Sequence, residues 1–457
     1  MVEIPPIISV SVFHRDAGIS PILVGIHRNI VSRYLTDIHR NPILITLTEI
    51  YFGGTRLSVV VVVHLCGCLA QPYHALVAPI TKDLKTSLFS ITLNIHEKYV
   101  IDLGGPFLWY RCPKKYPTVP CASPACSSVK SYFSPLCPSL KGESRAHCKC
   151  VVTPVNPVTN KCSLAHLTNK DLSISWTNGS TPATSVAKFK KQYVSCAPQS
   201  LLNSLPVGVS GMAGLSRSLI SVSSQFMSPK LKIKKQFSVC LPSTDSAPGV
   251  MFFGDGPFRM VPPTPADILS FLAYTPLVKK PKSADYYINL KGINVNNNKV
   301  VSLGVEGNGG VKLSTVVPYT TLSSPIYKPV FKAFVKATNG IPRAPRVKPF
   351  KYCLNTTNLG STRVGYPVAP IDLVLANGGN WTIFGANSMK QVSDDVACLA
   401  FVDGGPKAKQ PVVLGSFQIE NNFLSFDLEK SRLGFSSSLF FIRTTCGNFN
   451  FKGEMWG

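Results

Sequence analysis

Cysteine is the residue type with the most chemistry to offer in this chain of 457 residues, which carries fourteen of them. Two, Cys66 and Cys68, sit inside the apolar run LSVVVVVHLCGCLA at 57–70. The other twelve are Cys112, Cys121, Cys126, Cys137, Cys148, Cys150, Cys162, Cys196, Cys240, Cys353, Cys398 and Cys446. An even set of this size after a leader-like segment reads as six disulfides formed in an oxidising compartment. Zinc is the competing chemistry. Cys148-Lys-Cys150 has the wrong spacing for a zinc knuckle and no paired histidine follows it, so neither metal nor cofactor is expected. The eight cysteines from Cys112 to Cys196 admit many pairings, and spacing does not choose among them. Asn178-Gly-Ser, Asn355-Thr-Thr and Asn380-Trp-Thr are acceptor triplets for N-glycosylation in a secreted chain.

The apolar run has about a dozen apolar residues, too few to span a bilayer and the right number for a signal segment. Arg56 precedes it, and the small residues Ala70, Ala75 and Ala78 follow. Residues 56–75 are therefore expected to direct secretion, with no membrane segment in the mature protein. Such a segment belongs near the first residue, yet here it follows 55 residues without clear period or cysteine. No methionine lies between Met1 and Met212 to offer another start. Residues 1–55 are expected to be a wrongly joined upstream exon. A secreted form beginning near residues 71–79 is the outcome that would show this.

Hydrophobic residues make up 45% and charged residues 15%, a composition that supports a large packed core and excludes a disordered chain. The formal charge is +25, from 47 Lys+Arg against 22 Asp+Glu, spread along the chain without a long basic run. A nucleic-acid partner is not expected, because no nucleic-acid fold signature accompanies the charge. A polyanionic matrix or an acidic protein fits it better.

From Ala78 onward, short strands alternate with turn residues, as in SLFSITLNI (87–95), KYVIDLGG (98–105) and NFLSFDLEKSRLGFS (422–436). The best helix is IYKPVFKAFVKATNG (326–340), with Phe331, Phe334 and Val335 on one face and Gly340 as its stop. The fold class is thus mostly β. A weak duplication runs through it. VIDLGGPFLW (100–109) is followed by GVSGMAGL (208–215), and VKLSTVVPYTTL (311–322) by PVVLGSFQ (411–418). In each half an apolar strand enters a tight turn, and a later apolar-apolar-Gly segment can pack beside it. Two such halves imply two lobes with a cleft between them, 79–265 and 266–457, joined by a Pro-rich stretch.

From about residue 79 onward this pattern resembles the bilobal pepsin-like aspartic proteases, whose lobes each supply one Asp-Thr/Ser-Gly-Thr/Ser turn to a shared cleft. There two carboxylates share a proton and activate water. The resemblance places the first carboxylate at Asp102 and the second position at Ser314, whose hydroxyl stays neutral at working pH. Leu103, Gly105 and Val316 depart from the family turns as well. The nearest acid to Ser314 along the chain is Glu306, eight residues upstream. Proteolysis is not expected, and Asp102 and Ser314 read as vestigial.

DLGGPFLW (102–109), PCASPAC (120–126), GMAGLSRS (211–218), VCLPS (239–243), NSM (387–389) and RTTCGNFNF (443–451) narrow the resemblance. They are similar to the plant non-proteolytic branch: extracellular dermal glycoprotein, xyloglucan-endoglucanase inhibitor, wheat-type xylanase inhibitor and basic 7S globulin. The dermal-glycoprotein type is the nearest in these motifs. The resemblance implies the pairs Cys353–Cys398 and Cys240–Cys446, the latter joining the lobes. It also implies secretion to the apoplast and a microbial glycoside hydrolase as partner, with a family 12 xyloglucanase favoured over a family 11 xylanase. Such hydrolases flank the scissile bond with two carboxylates. An arginine fork can plug that pair, and the motif match puts this role on Arg363 (STR) and Arg443 (RTTC). A xylanase-inhibiting histidine is missing from LFFIRTTC (439–446), where Phe440, Phe441 and Ile442 offer an apolar patch instead. Pectin suits the basic surface as a second partner. A storage or ligand-binding protein like the 7S globulins is the alternative function.

Overall fold

A computed structural model of the chain describes residues 46–52, 55–60, 74–129, 132, 134, 137, 148–227, 231–260, 266–304 and 310–452. The chain separates into two compact units, Met1–Pro72 and Tyr73–Gly457. In the first, Thr46–Phe52 and Thr55–Val60 pair as an antiparallel hairpin. Apart from that hairpin and residues 74–75, the expected extension (1–55) and signal segment (56–75) lie outside the described residues.

The second unit is mostly β and forms two barrel-like lobes. The duplication seen in the sequence is carried by its strand pairing. In the N-terminal half, Glu97–Asp102 runs parallel to Val209–Gly214, with Gly214 opposite Asp102. Val209–Gly214 is antiparallel to Leu108–Arg111, which in turn runs parallel to Pro182–Ala197. The C-terminal half repeats this arrangement. Gly310–Leu313 runs parallel to Val412–Leu414, which is antiparallel to Thr320–Leu322, and that strand runs parallel to Phe401–Asp403. The glycine in each later segment has a steric reason. A Cβ on Gly214 would collide with the carbonyls of Gly105 and Phe107, and one on Gly415 with the backbone of Tyr319 and Thr320. Only glycine lets the two backbones approach so closely.

A thirteen-stranded sheet takes strands from both sides of residue 265: Gln236–Cys240 pairs with Phe423–Asp427, and that strand continues as a hairpin to Arg432–Phe435. Phe237 and Phe426 stack across this seam with ring centroids 4.6 Å apart. One buried apolar cluster accordingly runs from Leu76 to Phe435. The helix spans Ser324–Ala337, starting two residues before the expected 326 and ending before Gly340, which has a positive φ. It buries Ile326, Tyr327, Val330 and Phe334, whereas Phe331 and Val335 are only partly covered. The expected face is thus rotated, because the helix lies against the sheet strands Tyr287–Val295 and Asn298–Ser302.

All twelve cysteines are paired. Cys112–Cys196 ties two neighbouring parallel strands, Cys353–Cys398 joins directly opposed residues of an antiparallel pair, and Cys240–Cys446 closes a span of 206 residues. Cys121–Cys148, Cys126–Cys150 and Cys137–Cys162 staple the excursion that follows Leu108–Arg111.

Candidate functional site

The two duplicated turns meet, and each is held by its own first residue. The Asp102 carboxylate accepts from the Gly104 N–H at 2.8 Å. The Ser314 hydroxyl, on a residue 3% exposed, accepts from the N–H groups of Val316 and Val317 at 3.3 and 3.1 Å. Serine therefore satisfies the turn without supplying charge. Thr315 braces the pair: its hydroxyl donates to the Ile101 carbonyl at 2.7 Å and accepts from the Leu103 N–H at 3.3 Å. The reciprocal brace is gone, because Leu103 has no hydroxyl and is fully buried in the apolar core. Gly105 follows from crowding: a Cβ there would stand 2.8 Å from the Cα of Gly214 and 3.1 Å from the Asp102 carboxylate.

A charged cluster fills the space beside Asp102. Lys312 pairs with Asp285 at 2.9 Å. The same Asp285 oxygen lies 3.1 Å from the hydroxyls of both Ser283 and Tyr287, each placed to donate to it. The other reaches Gly104, where a Cβ would collide with it and would stand 3.4 Å from Asp102. Burial pushes the Asp102 carboxyl above the usual carboxylate range and the charge of Asp285 adds to this, against the Gly104 N–H and Lys312. Burial disfavours the Lys312 ammonium, but the two carboxylates outweigh it and hold its pKa above the usual value. An acid–base dyad needs a proton shared between two carboxylates. Here the bonds of Asp285 go to Lys312, Ser283 and Tyr287. Among the described residues no hydrogen bond joins it to Asp102. Sequence reasoning sought a replacement acid only within the second turn, and Glu306 lies outside the described residues. Lys312 was within reach of that reasoning, since strand alternation puts it on the same face as Ser314, two residues on. Asp285 carried no local signal.

Arg363 and Arg443 both stand exposed on tight turns. Arg363 tips the turn Thr362–Gly365, closed by reciprocal backbone bonds of 2.8 and 3.1 Å and by the Thr362 hydroxyl donating to the Gly365 carbonyl at 2.7 Å. Gly365 takes φ +89 and lies so close to Ala386 that a Cβ has no room. Arg443 caps the short 3₁₀ helix Leu439–Ile442 in the left-handed conformation, φ 57. The two turns rest on one segment. The Ala386 N–H donates to the Val364 carbonyl at 2.7 Å, and Phe384 meets Phe441 edge-on at 5.1 Å between ring centroids. Phe441 is 53% exposed, while Phe440 and Ile442 are half-buried. Neither guanidinium has an ion-pair or hydrogen-bond partner among the described residues. Of the acceptor triplets, Asn178 and Asn380 are exposed and Asn355 is half-buried.

At the Arg363 turn lies an open cavity of about 430 Å³, lined by Ser361, Gly365, Tyr366, Lys390, Phe417 and Glu420 among others. Among the described residues no His/Cys/Asp/Glu group is arranged to hold a metal ion, and no helix is long and apolar enough to cross a membrane.

The paired turns, the strand duplication and the bilobal sheet define the class: a pepsin-like aspartic-proteinase fold. The crystal structure of an aspartic proteinase from Irpex lacteus shares it at TM-score 0.51 and 15% identity, covering 81% of this chain and 99% of that one. The family is narrower. Profiles for the N-terminal and C-terminal domains of xylanase inhibitors match residues 90–255 and 285–437, and the chain belongs to the xylanase-inhibitor family. The crystal structure of edgp is similar at TM-score 0.75 and 38% identity, covering 84% of this chain and 99% of that one. A chitinase named CLP from Oryza sativa subsp. japonica is 40% identical across 86% of this chain and 99% of its own length. A basic 7S globulin of Glycine max is 31% identical across 83% of this chain and 91% of its own.

Proposed function

We propose that this protein is a secreted, non-proteolytic inhibitor of microbial glycoside hydrolases. Arg363 and Arg443 enter the carboxylate-lined cleft of the target, a family 12 xyloglucanase before a family 11 xylanase. The observation that carries this reading is the pair of exposed guanidinium groups, unpartnered among the described residues, on neighbouring turns that share the Phe384–Ala386 segment. Such forks offer bidentate hydrogen bonds to a carboxylate pair without first breaking internal ones. The exposed Phe441 beside them supplies an aromatic contact of the kind enriched at binding hot spots. With Ser314 at the second catalytic position and Asp285 tied to Lys312, Asp102 has no proton-sharing partner among the described residues, and peptide hydrolysis is outside the protein's chemistry. Six disulfides suit the apoplast, as do glycans at Asn178, Asn355 and Asn380. The +25 charge favours retention on pectin, which high salt would reverse. Titration of purified family 12 and family 11 enzymes with the protein tests the reading. Inhibition lost in Arg363→Ala/Arg443→Ala supports it. Inhibition unchanged in the double variant sinks the arginine role, and no inhibition of either enzyme leaves a storage or ligand-binding protein.

A further inference from the structure

The cavity at the Arg363 turn contains an unbalanced charge. The Lys82 side chain, 3% exposed, is committed twice: its ammonium donates to the Glu420 carboxylate and to the Ser243 carbonyl, both at 2.8 Å. Lys390, also in the lining, is half-buried and forms no ion pair among the described residues; its ammonium lies over the Phe417 ring, 5.5 Å from the centroid. Two ammonium groups thus share one carboxylate. Burial and the nearby Lys82 both push the Lys390 pKa down, and Glu420 only partly offsets them, so an added anion would find a cation not yet compensated. A half-buried cation without a partner is costly unless something pairs with it.

The remaining lining decides what sort of anion fits. Ser243 and Ser361 also line the cavity; the Ser243 hydroxyl accepts from the Asn421 amide at 2.9 Å and the Ser361 hydroxyl donates to the Thr362 carbonyl at 3.2 Å, which leaves each a further hydrogen bond to make, while Tyr366 and Phe417 contribute aromatic surface. The volume of about 430 Å³ lies in the usual range of small-molecule sites. A bare inorganic anion would meet Lys390 but leave the hydroxyls and the rings untouched. A long aliphatic acid would set its chain against the hydroxyls. A ring with a carboxylate, several hydroxyls and an apolar C–H face uses all three kinds of lining.

We propose that this cavity is a binding site for a uronic-acid sugar, whose carboxylate pairs with Lys390 while its ring lies against Tyr366 and the serine hydroxyls. The site is independent of whether Arg363 and Arg443 inhibit a hydrolase. It differs from diffuse attraction of a polyanion to the basic surface because it acts on a single sugar unit.

Calorimetric or NMR titration of the full chain with methyl galacturonide at physiological salt tests it, with methyl galactoside and propionate as controls. The expected result is millimolar or tighter binding of the galacturonide, at least tenfold weaker in Lys390→Gln and restored in Lys390→Arg. It should be unaffected in Lys407→Gln, which removes an exposed lysine outside the cavity lining. Thermal unfolding checks that each variant is folded. Three results overturn the proposal: no binding to the wild-type chain, equal weakening in Lys390→Gln and Lys407→Gln, or propionate binding as tightly as the galacturonide.

Discussion

The cleft between the duplicated turns and the face that carries the two arginine turns are both rich in charge, but they use it in opposite ways. In the cleft, the polar side chains of the two turns and of Asp285 have partners inside the fold. Asp102 holds the Gly104 N–H, Ser314 holds Val316 and Val317, Thr315 ties both turns, and Asp285 is taken by Lys312, Ser283 and Tyr287. On the other face, Arg363, Arg443 and Lys390 form no ion pair among the described residues, and the Lys390 ammonium lies over the Phe417 ring. Satisfied groups hold a structure together; unsatisfied ones at a surface are free to bind, since no internal bond must be broken first. The cleft has become architecture, and the face has become the available surface.

The contrast can be broken by experiment, and the largest effect is expected where a charge on that face is paired. Lys82 and Glu420 form an ion pair only 3% and 6% exposed. Lys82→Met should destabilise the fold by about 3 kcal/mol or more, measured by denaturant unfolding, because it takes from the buried Glu420 carboxylate the ammonium it pairs with at 2.8 Å. A loss below about 1 kcal/mol would place this pair among the expendable surface ones. Next come the arginines. Arg363→Ala and Arg443→Ala should each weaken inhibition of the target hydrolase by about 2 kcal/mol, roughly 30-fold, with an unchanged unfolding midpoint. A change in the midpoint instead would return them to a structural role.

A smaller effect is expected with pH. Burial pushes the Glu420 carboxyl up to about 7 against the pull of Lys82 and Lys390. Its folded-state pKa lies above the unfolded value, so its contribution is fully present below the unfolded carboxyl range and is lost as pH rises towards about 7. Unfolding stability should fall across that window by up to about 1.4 kcal/mol per pH unit, and Glu420→Gln should flatten the slope. An identical slope in the variant would assign it to other groups. The smallest effect belongs to the cleft itself. Ser314→Asp should yield no pepstatin-sensitive proteolysis at acid pH, because Lys312 and Asp285 still crowd Asp102. Cleavage by this variant would show that the serine alone silences the site.

The sequence by itself determined what local chemistry and periodicity can carry. Alternation and turn residues announced a mostly β chain. The apolar strand before each turn and the apolar-apolar-Gly segment a hundred residues later announced a duplicated strand with a segment packed beside it; that the pairs are parallel, and that only glycine admits such close backbones, came from the structure. Asp102 and Ser314 were readable because they open those turns. The tertiary structure alone decided which of the eight cysteines from Cys112 to Cys196 meet, because pairing depends on where distant strands bring their Cβ atoms and not on spacing. It also decided that Asp285 reaches Gly104, that the Arg363 and Arg443 turns share one supporting segment, and that Glu420 pairs directly with Lys82. These are contacts between residues far apart in the chain. Their energies come from burial and geometry, which no window of sequence contains.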